Sequence, residues 1–231
     1  MANPAERARR PPAHPIRRIT VTEVALLTIL PGLAAAAWLA LITAGADRFA
    51  PRLAAVAGAA VAIAGLAVAG WGHARGRWRI ASTRWDVAAL VIAAVLAARA
   101  WPVNTPWITF LDASWYAATA ARIAQVGGLR FPVDALTDAP ADARPALVAT
   151  FRDERAAGLP FPDATERGFH VVAFAVEDTS DPVATPYHPP YYAAGLAVAA
   201  ALRGPLRAGD AAWPWALAWL LAVAAVARAA G

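Results

Sequence analysis

From Val24 to Ala44, and again from Leu53 to Trp71, the chain carries no charged side chain. A helix of about twenty apolar residues matches the ~30 Å hydrocarbon core of a bilayer. Inside that core each backbone amide must be bonded within its own segment, so these runs predict membrane helices. Composition agrees. The 231 residues are 59% hydrophobic and 16% charged, with a mean hydropathy of +0.45, whereas a soluble domain carries about 25% charged residues. The absence of cysteine excludes disulfides and thiolate metal sites.

The pattern predicts an all-α polytopic protein of about five transmembrane helices, with a long extracytoplasmic loop holding juxtamembrane helices and little strand. Residues 1–19 form a basic, proline-rich tail, expected to be disordered and cytoplasmic. Residues 20–101 hold three spans: the two uncharged runs, the first interrupted by Pro31-Gly32, and a third from about Trp85 to Trp101. In the third span, Asp86 and Arg99 are expected near the two interfaces. Residues 102–186 form the extracytoplasmic loop domain, and residues 187–231 hold two more spans, Tyr187–Leu202 and Ala211–Ala227. The first apolar run is too long for the hydrophobic region of a cleaved signal peptide.

The charge pattern predicts the orientation. Every basic residue is arginine, and the net charge is +5. Arg7, Arg9, Arg10, Arg17 and Arg18, then Arg75, Arg77, Arg79 and Arg84, then Arg203 and Arg207 lie in short connections beside apolar runs. A cytoplasmic N-terminus and five crossings put all three groups inside, with the acidic 102–186 loop and the C-terminus outside the plasma membrane. These arginines are therefore read as a topology signal, with membrane lipids and not nucleic acid as partners.

The residues capable of chemistry flank the loop. Asp112 opens an expected amphipathic helix with Trp115, Thr119, Ile123 and Val126 toward one face and Gly127-Gly128 as its stop. This helix is expected along the outer interface, with Trp115 and Tyr116 at headgroup depth. Asp112 reads first as a helix N-cap, which is compatible with its being a carboxylate able to take a proton from an attacking hydroxyl. Arg122 and Arg130 suit phosphates or headgroups. The chain re-enters its next apolar run through His188-Pro189-Pro190-Tyr191-Tyr192, where prolines suit a first helical turn and tyrosines the interface. Asp134, Asp138 and Asp142, Asp153-Glu154, and Glu177-Asp178 with Asp181 read as a solvated acidic surface. Carboxylates of this kind are also the ligands a divalent cation would use, but no metal-ligand spacing is present. Phe169–Val176 reads as a strand.

Two of these segments resemble the membrane glycosyltransferases of the GT-C fold, in the protein-mannosyltransferase-like (family 39-like) group. Their pattern D-x-x-x-Y-x-x-x-A-x-x-I-x-x-x-G is met by Asp112, Tyr116, Ala120, Ile123 and Gly127, and their re-entry motif by His188-Pro189-Pro190-Tyr191-Tyr192 through Gly204. The resemblance covers about residues 85 to 230. It implies inverting transfer of a sugar from a polyprenyl-phosphate donor to an extracytoplasmic acceptor. Asp112 would be the catalytic acid, with His188, Arg122, Tyr116 and Tyr191 binding substrate. A divalent cation is a cofactor the resemblance leaves open. The chain departs from the family where Ala113 replaces a frequent second acid, and in a longer loop. It also reaches Gly231 after about five spans where relatives have many more. The expectation is an N-terminal portion whose further helices come from a C-terminal part or a partner subunit. The rival expectation is a non-catalytic assembly or binding subunit displaying the loop. A transporter is disfavoured, since no charge lies near the middle of a run and no half repeats.

Overall fold

The computed structural model describes residues 17–100, 112–144, 169–171, 174–176, 182–186 and 189–230. Helices dominate: α1 (Val21–Gly45), α2 (Pro51–Ala74), α3 (Arg84–Ala100), α4 (Asp112–Val126), the single turn α5 (Asp134–Thr137), α6 (Tyr191–Arg203) and α7 (Ala212–Ala230). A 3-10 segment, Pro205–Ala211, joins α6 to α7. Strands β1 (Arg17–Thr20) and β2 (Trp78–Ala81) pair in parallel. Strands β3 (Phe131–Pro132), β4 (Phe169–Val171), β5 (Phe174–Val176) and β6 (Val183–Pro186) form an antiparallel sheet in the order β3-β6-β5-β4.

Three stretches are long and apolar enough to cross a membrane: Val21–Gly45, Pro51–Ala74 and Pro205–Arg228. The expected count of about five is not reproduced among the described residues. The predicted fourth span is the 13-residue α6, only about 20 Å long at 1.5 Å per residue. The third, α3, has 17 residues and is about 26 Å long, at the lower limit for a span; it runs from the Thr20 end alongside α7 and so makes a fourth pass of the bundle. Residues 17–19, placed by the sequence in the disordered tail, belong to a strand, Arg17–Thr20, that runs directly into α1; residues 1–16 lie outside the described residues.

The two long helices α1 and α2 form an antiparallel hairpin. Small residues let them approach: a Cβ on Gly32 would lie 2.8 Å from the Gly58 carbonyl oxygen, and one on Gly58 2.9 Å from Ala36 Cβ. Apolar side chains gain nothing by leaving lipid for one another, so such backbone proximity is what holds membrane helices together. At the far end of the hairpin, Asp47 adopts a left-handed φ of 53° to reverse the chain. The amide of Phe49 donates to the Gly127 carbonyl (2.8 Å), and that of Leu129 to Ala44 (3.1 Å). The end of α4 is thereby bonded to the α1–α2 turn.

α6 does not continue the bundle; it lies across it. Reading along α6, Tyr191 meets Trp38 of α1 and Trp215 of α7, and Ala194 is buried with Ala40 and Ala54. Ala201 and Leu202 then line a hollow with Pro51 and Arg52. One short helix thus passes over the ends of α7, α1 and α2 in turn. α4 packs beside it through Ala120 and Ile123 against Leu196, Ala197 and Ala200. The amphipathic face expected on α4 is buried in protein at Thr119 and Ile123, with only Val126 exposed among its described members. The strand expected at Phe169–Val176 is two strands, β4 and β5, paired antiparallel. Phe131, Leu136, Val176 and Ala184 form the core of that sheet.

This layout changes the predicted arrangement of ends. The C-terminal turn of α7 meets the first turn of α1 through Arg228 and Glu23, so the start of α1 and the end of α7 share one side. The Arg203–Arg207 turn lies at the other end, where Ala208 is buried with Ala44. Because the chain has no cysteine, single introduced thiols report this directly. A cysteine added after Gly231 and one at Arg75→Cys are expected to react with an impermeant maleimide from the same face of sealed vesicles, and Leu206→Cys from the opposite face. The five-span arrangement requires Arg75 and Leu206 to share a face.

Candidate functional site

The first candidate site lies where α4 and α6 begin. The rings of Tyr116 and Tyr192 meet edge to face, with centroids 5.3 Å apart. The core residues farther along, Ala120 and Ile123 against Leu196 and Ala200, show that the helices run in the same direction from this contact. Asp112 begins α4 one turn before Tyr116, and Pro190 caps α6 just before Tyr191. Both helix N-termini, with their positive dipole ends, therefore open on the same region. Burial pushes both the Tyr191 and Tyr192 phenols above the ordinary tyrosine range, and the nearby Tyr116 phenol raises Tyr192 further. Both act as neutral hydrogen-bonding groups at physiological pH.

The sequence-predicted residues divide. Tyr116 and the start of α6 are brought together. Tyr191 packs between Trp38 (centroids 5.2 Å apart) and Trp215 (6.3 Å), which anchors α6 to α1 and α7. Arg122 is not part of this junction. Ten residues past Asp112, it is about 15 Å along the helix; its guanidinium sits over the Phe131 ring, 4.4 Å from the centroid, and steadies the sheet. His188 and the side chain of Asp112 lie outside the described residues, as do Asp153-Glu154, Glu177-Asp178 and Asp181. Among the described residues, no three His, Asp or Glu side chains converge as cation ligands, and Asp134, Asp138 and Asp142 form no such group.

At the opposite end lies a buried polar cluster that the sequence reading did not anticipate. Thr20 caps α1: its hydroxyl accepts from the Glu23 amide (3.3 Å), and the Thr20 amide donates to Glu23 Oε2 (2.7 Å). Thr83 and Asp86 repeat the pattern at α3. The Thr83 amide and hydroxyl both donate to Asp86 Oδ2 at 2.6 Å, and the Asp86 amide donates back to Thr83 Oγ1 at 3.2 Å. The other carboxylate oxygen, Oδ1, crosses to α1 and accepts from the Thr22 amide (3.1 Å) and the Thr22 hydroxyl. One carboxylate, 1% exposed, thus satisfies orphan amides at the starts of two helices. Arg228 closes the cluster from α7, donating to Thr20 Oγ1 (2.7 Å) and pairing with Glu23 Oε1 (2.9 Å) and, at 3.7 Å, Asp86 Oδ1. The signal was present in the sequence: Thr20-x-x-Glu23 and Thr83-x-x-Asp86 are both capping boxes ahead of apolar runs.

A smaller ion cluster sits at the α6–α7 turn. Asp210, 5% exposed, receives Arg203 at 2.8 Å and Arg207 at 2.9 Å on the same oxygen.

Together the fold and these two ends define a helical protein with three helices built to cross a membrane. Comparison with protein-family models, with curated proteins and with solved structures gives no match.

The Asp86 cluster has a measurable role. Removing one partner of a buried, hydrogen-bonded charge costs about 3–5 kcal/mol. Asp86→Ala is expected to lower the thermal midpoint of the detergent-purified chain strongly. Exposed Asp138→Ala should stay within about 0.5 kcal/mol of wild type. Equal midpoints for the two variants would show that the cluster does not hold the helix ends.

Proposed function

We propose that this chain is a membrane glycosyltransferase of the GT-C type, or the N-terminal part of one, that transfers a sugar from a polyprenyl-phosphate donor to an extracytoplasmic acceptor with inversion. The observation that carries this reading is the Tyr116–Tyr192 contact. It joins the two segments that resemble the family's motifs, 76 positions apart in sequence, at the shared start of parallel helices.

In this mechanism the acceptor hydroxyl attacks the anomeric carbon from the face opposite the phosphate. The Asp112 carboxylate, held ionised at a helix N-terminus, takes the hydroxyl proton as the new bond forms. The bond from the anomeric carbon to the phosphate oxygen breaks, and polyprenyl phosphate leaves with the electron pair. His188 donates a hydrogen bond to that phosphate as its charge grows. The positive dipole ends at the starts of α4 and α6 favour the same anion. No step is assigned to a divalent cation.

The orientation that suits this reading is a plasma-membrane protein with the Thr20 end cytoplasmic. Arg18, Arg75, Arg77, Arg79 and Arg84 flank that end, in keeping with the preference of arginine for cytoplasmic loops. Asp112, α6 and the sheet then lie on the side where polyprenyl-linked sugars meet extracytoplasmic acceptors.

The test uses membranes containing the full chain and a radiolabelled polyprenyl-phosphate sugar. Wild type is expected to transfer label, and Asp112→Asn to lose roughly 10²–10⁴-fold of the rate with unchanged membrane insertion. Wild-type turnover in that variant would remove Asp112 from the mechanism. Correctly inserted protein that transfers nothing in either form would favour a non-catalytic assembly subunit.

A further inference from the structure

Two apolar grooves run along the outside of the bundle. The larger, about 700 Å³ between α1 and α2, has the Glu23 carboxylate at its mouth, which disfavours an anionic occupant. The second, about 550 Å³, lies between α3 and α7. Its walls are Trp85, Ala88, Ile92, Leu220, Val223 and Ala224, and Arg228 stands at its end. The groove exists because Ala89 of α3 is buried, 6% exposed, while the flanking Ala88 and Ala224 are too small to fill the space beside that contact.

The end of this groove is marked by Trp85 and Arg228, on the side of the bundle that carries most of the short-loop arginines. The Arg84 guanidinium lies over the Trp85 ring, 5.2 Å from its centroid. Arg75 and Arg77 stack on Trp71 at 5.4 and 4.5 Å, and Arg79 is on β2 at the same end. Arg228 itself is matched by Glu23 and Asp86, whereas among the described residues no carboxylate pairs with Arg84. Tryptophan with arginine at the end of a membrane helix marks headgroup depth, and a basic pocket between membrane helices on the cytoplasmic side recognises anionic headgroups.

We infer that the α3–α7 groove is a binding site for one anionic phospholipid, an acyl chain lying along Ala88, Ile92, Val223 and Ala224 and the phosphate meeting Arg84 above Trp85. The site is at the opposite end of the bundle from the Tyr116–Tyr192 junction, and its occupancy does not depend on sugar transfer. The bound lipid fills the space that the helices leave between them and holds α3 against α7 beside the Asp86 cluster.

The experiment measures lipid retention by native mass spectrometry, and the thermal midpoint, of the full chain purified in neutral detergent. Phosphatidylglycerol and phosphatidylcholine with identical acyl chains are added separately. Wild type is expected to retain one phosphatidylglycerol and to be stabilised by it more than by phosphatidylcholine. Ala224→Trp fills the groove and should abolish retention of either lipid, whereas Val226→Trp, on the exposed face outside the groove, should keep it. Arg84→Gln should weaken phosphatidylglycerol binding about fivefold, the effect of one arginine near an anionic headgroup, and leave phosphatidylcholine unchanged. Should Ala224→Trp fail to fold, Arg84→Gln decides alone. Equal retention of the two lipids by wild type, or a phosphatidylglycerol preference that survives Arg84→Gln, overturns the site.

Discussion

The carboxylate of Asp86 solves a problem that every membrane helix has at its ends. The first four amides of a helix have no partner within it, and a helix that begins near hydrocarbon has little water to supply one. Asp86 gives one oxygen to the start of its own helix and the other to the start of α1. That double use fixes α1 and α3 side by side and in register, and the parallel pairing of β1 with β2 extends the same registration outward, Ile19 opposite Ile80. A buried carboxylate without a counter-charge would be costly, and Arg228 supplies that charge from the last turn of α7. Three helix ends are therefore held at one point.

The rest of the topology follows from that point. With the end of α7 held beside the start of α1, the segment between α3 and α7 must begin and finish at the other side. α6, at 13 residues, is too short to cross and so lies over the bundle. Its buried face is Ala193, Ala194, Ala197 and Ala200, residues small enough to sit directly on the helix ends beneath. The tyrosines and tryptophans at its start then serve as wedges: Tyr191 between Trp38 and Trp215 sets the height of α6, and Tyr192 against Tyr116 sets where α4 lies. The position of the α4–α6 junction is thus an outcome of packing around α6.

Hydropathy made the long helices legible. Val24–Ala44 and Leu53–Trp71 read as spans and are the cores of α1 and α2, and the stop at Gly127 is a helix end with φ +80. The α6 region is ambiguous from hydropathy for a physical reason. A run such as Ala193–Ala201 is equally apolar whether lipid or protein surrounds it, and only tertiary contact distinguishes the two. Tyr116 and Tyr191 were picked out as interfacial aromatics, but Tyr192 as the partner of Tyr116 depends on how two separated helices pack. The Asp86 cluster was legible in part. Its capping boxes are local patterns, whereas the reach of Asp86 to Thr22 and of Arg228 to Glu23 is set by the fold alone.

The revised arrangement also explains how Arg203 and Arg207 can lie at the end opposite the other short-loop arginines. A count of arginines places them with the cytoplasmic groups, because positive charge resists translocation. Here both guanidiniums rest on one buried oxygen of Asp210, so the turn carries a smaller net charge than its arginines suggest. At the Thr20 end, by contrast, Arg84 stacks on Trp85 and Arg75 and Arg77 stack on Trp71, contacts that leave their charge intact. Among the described residues, the two ends therefore differ in how far their arginines are matched by carboxylates. Weighing each arginine with its carboxylate partner supports the proposed cytoplasmic Thr20 end and is compatible with α6 on the far side.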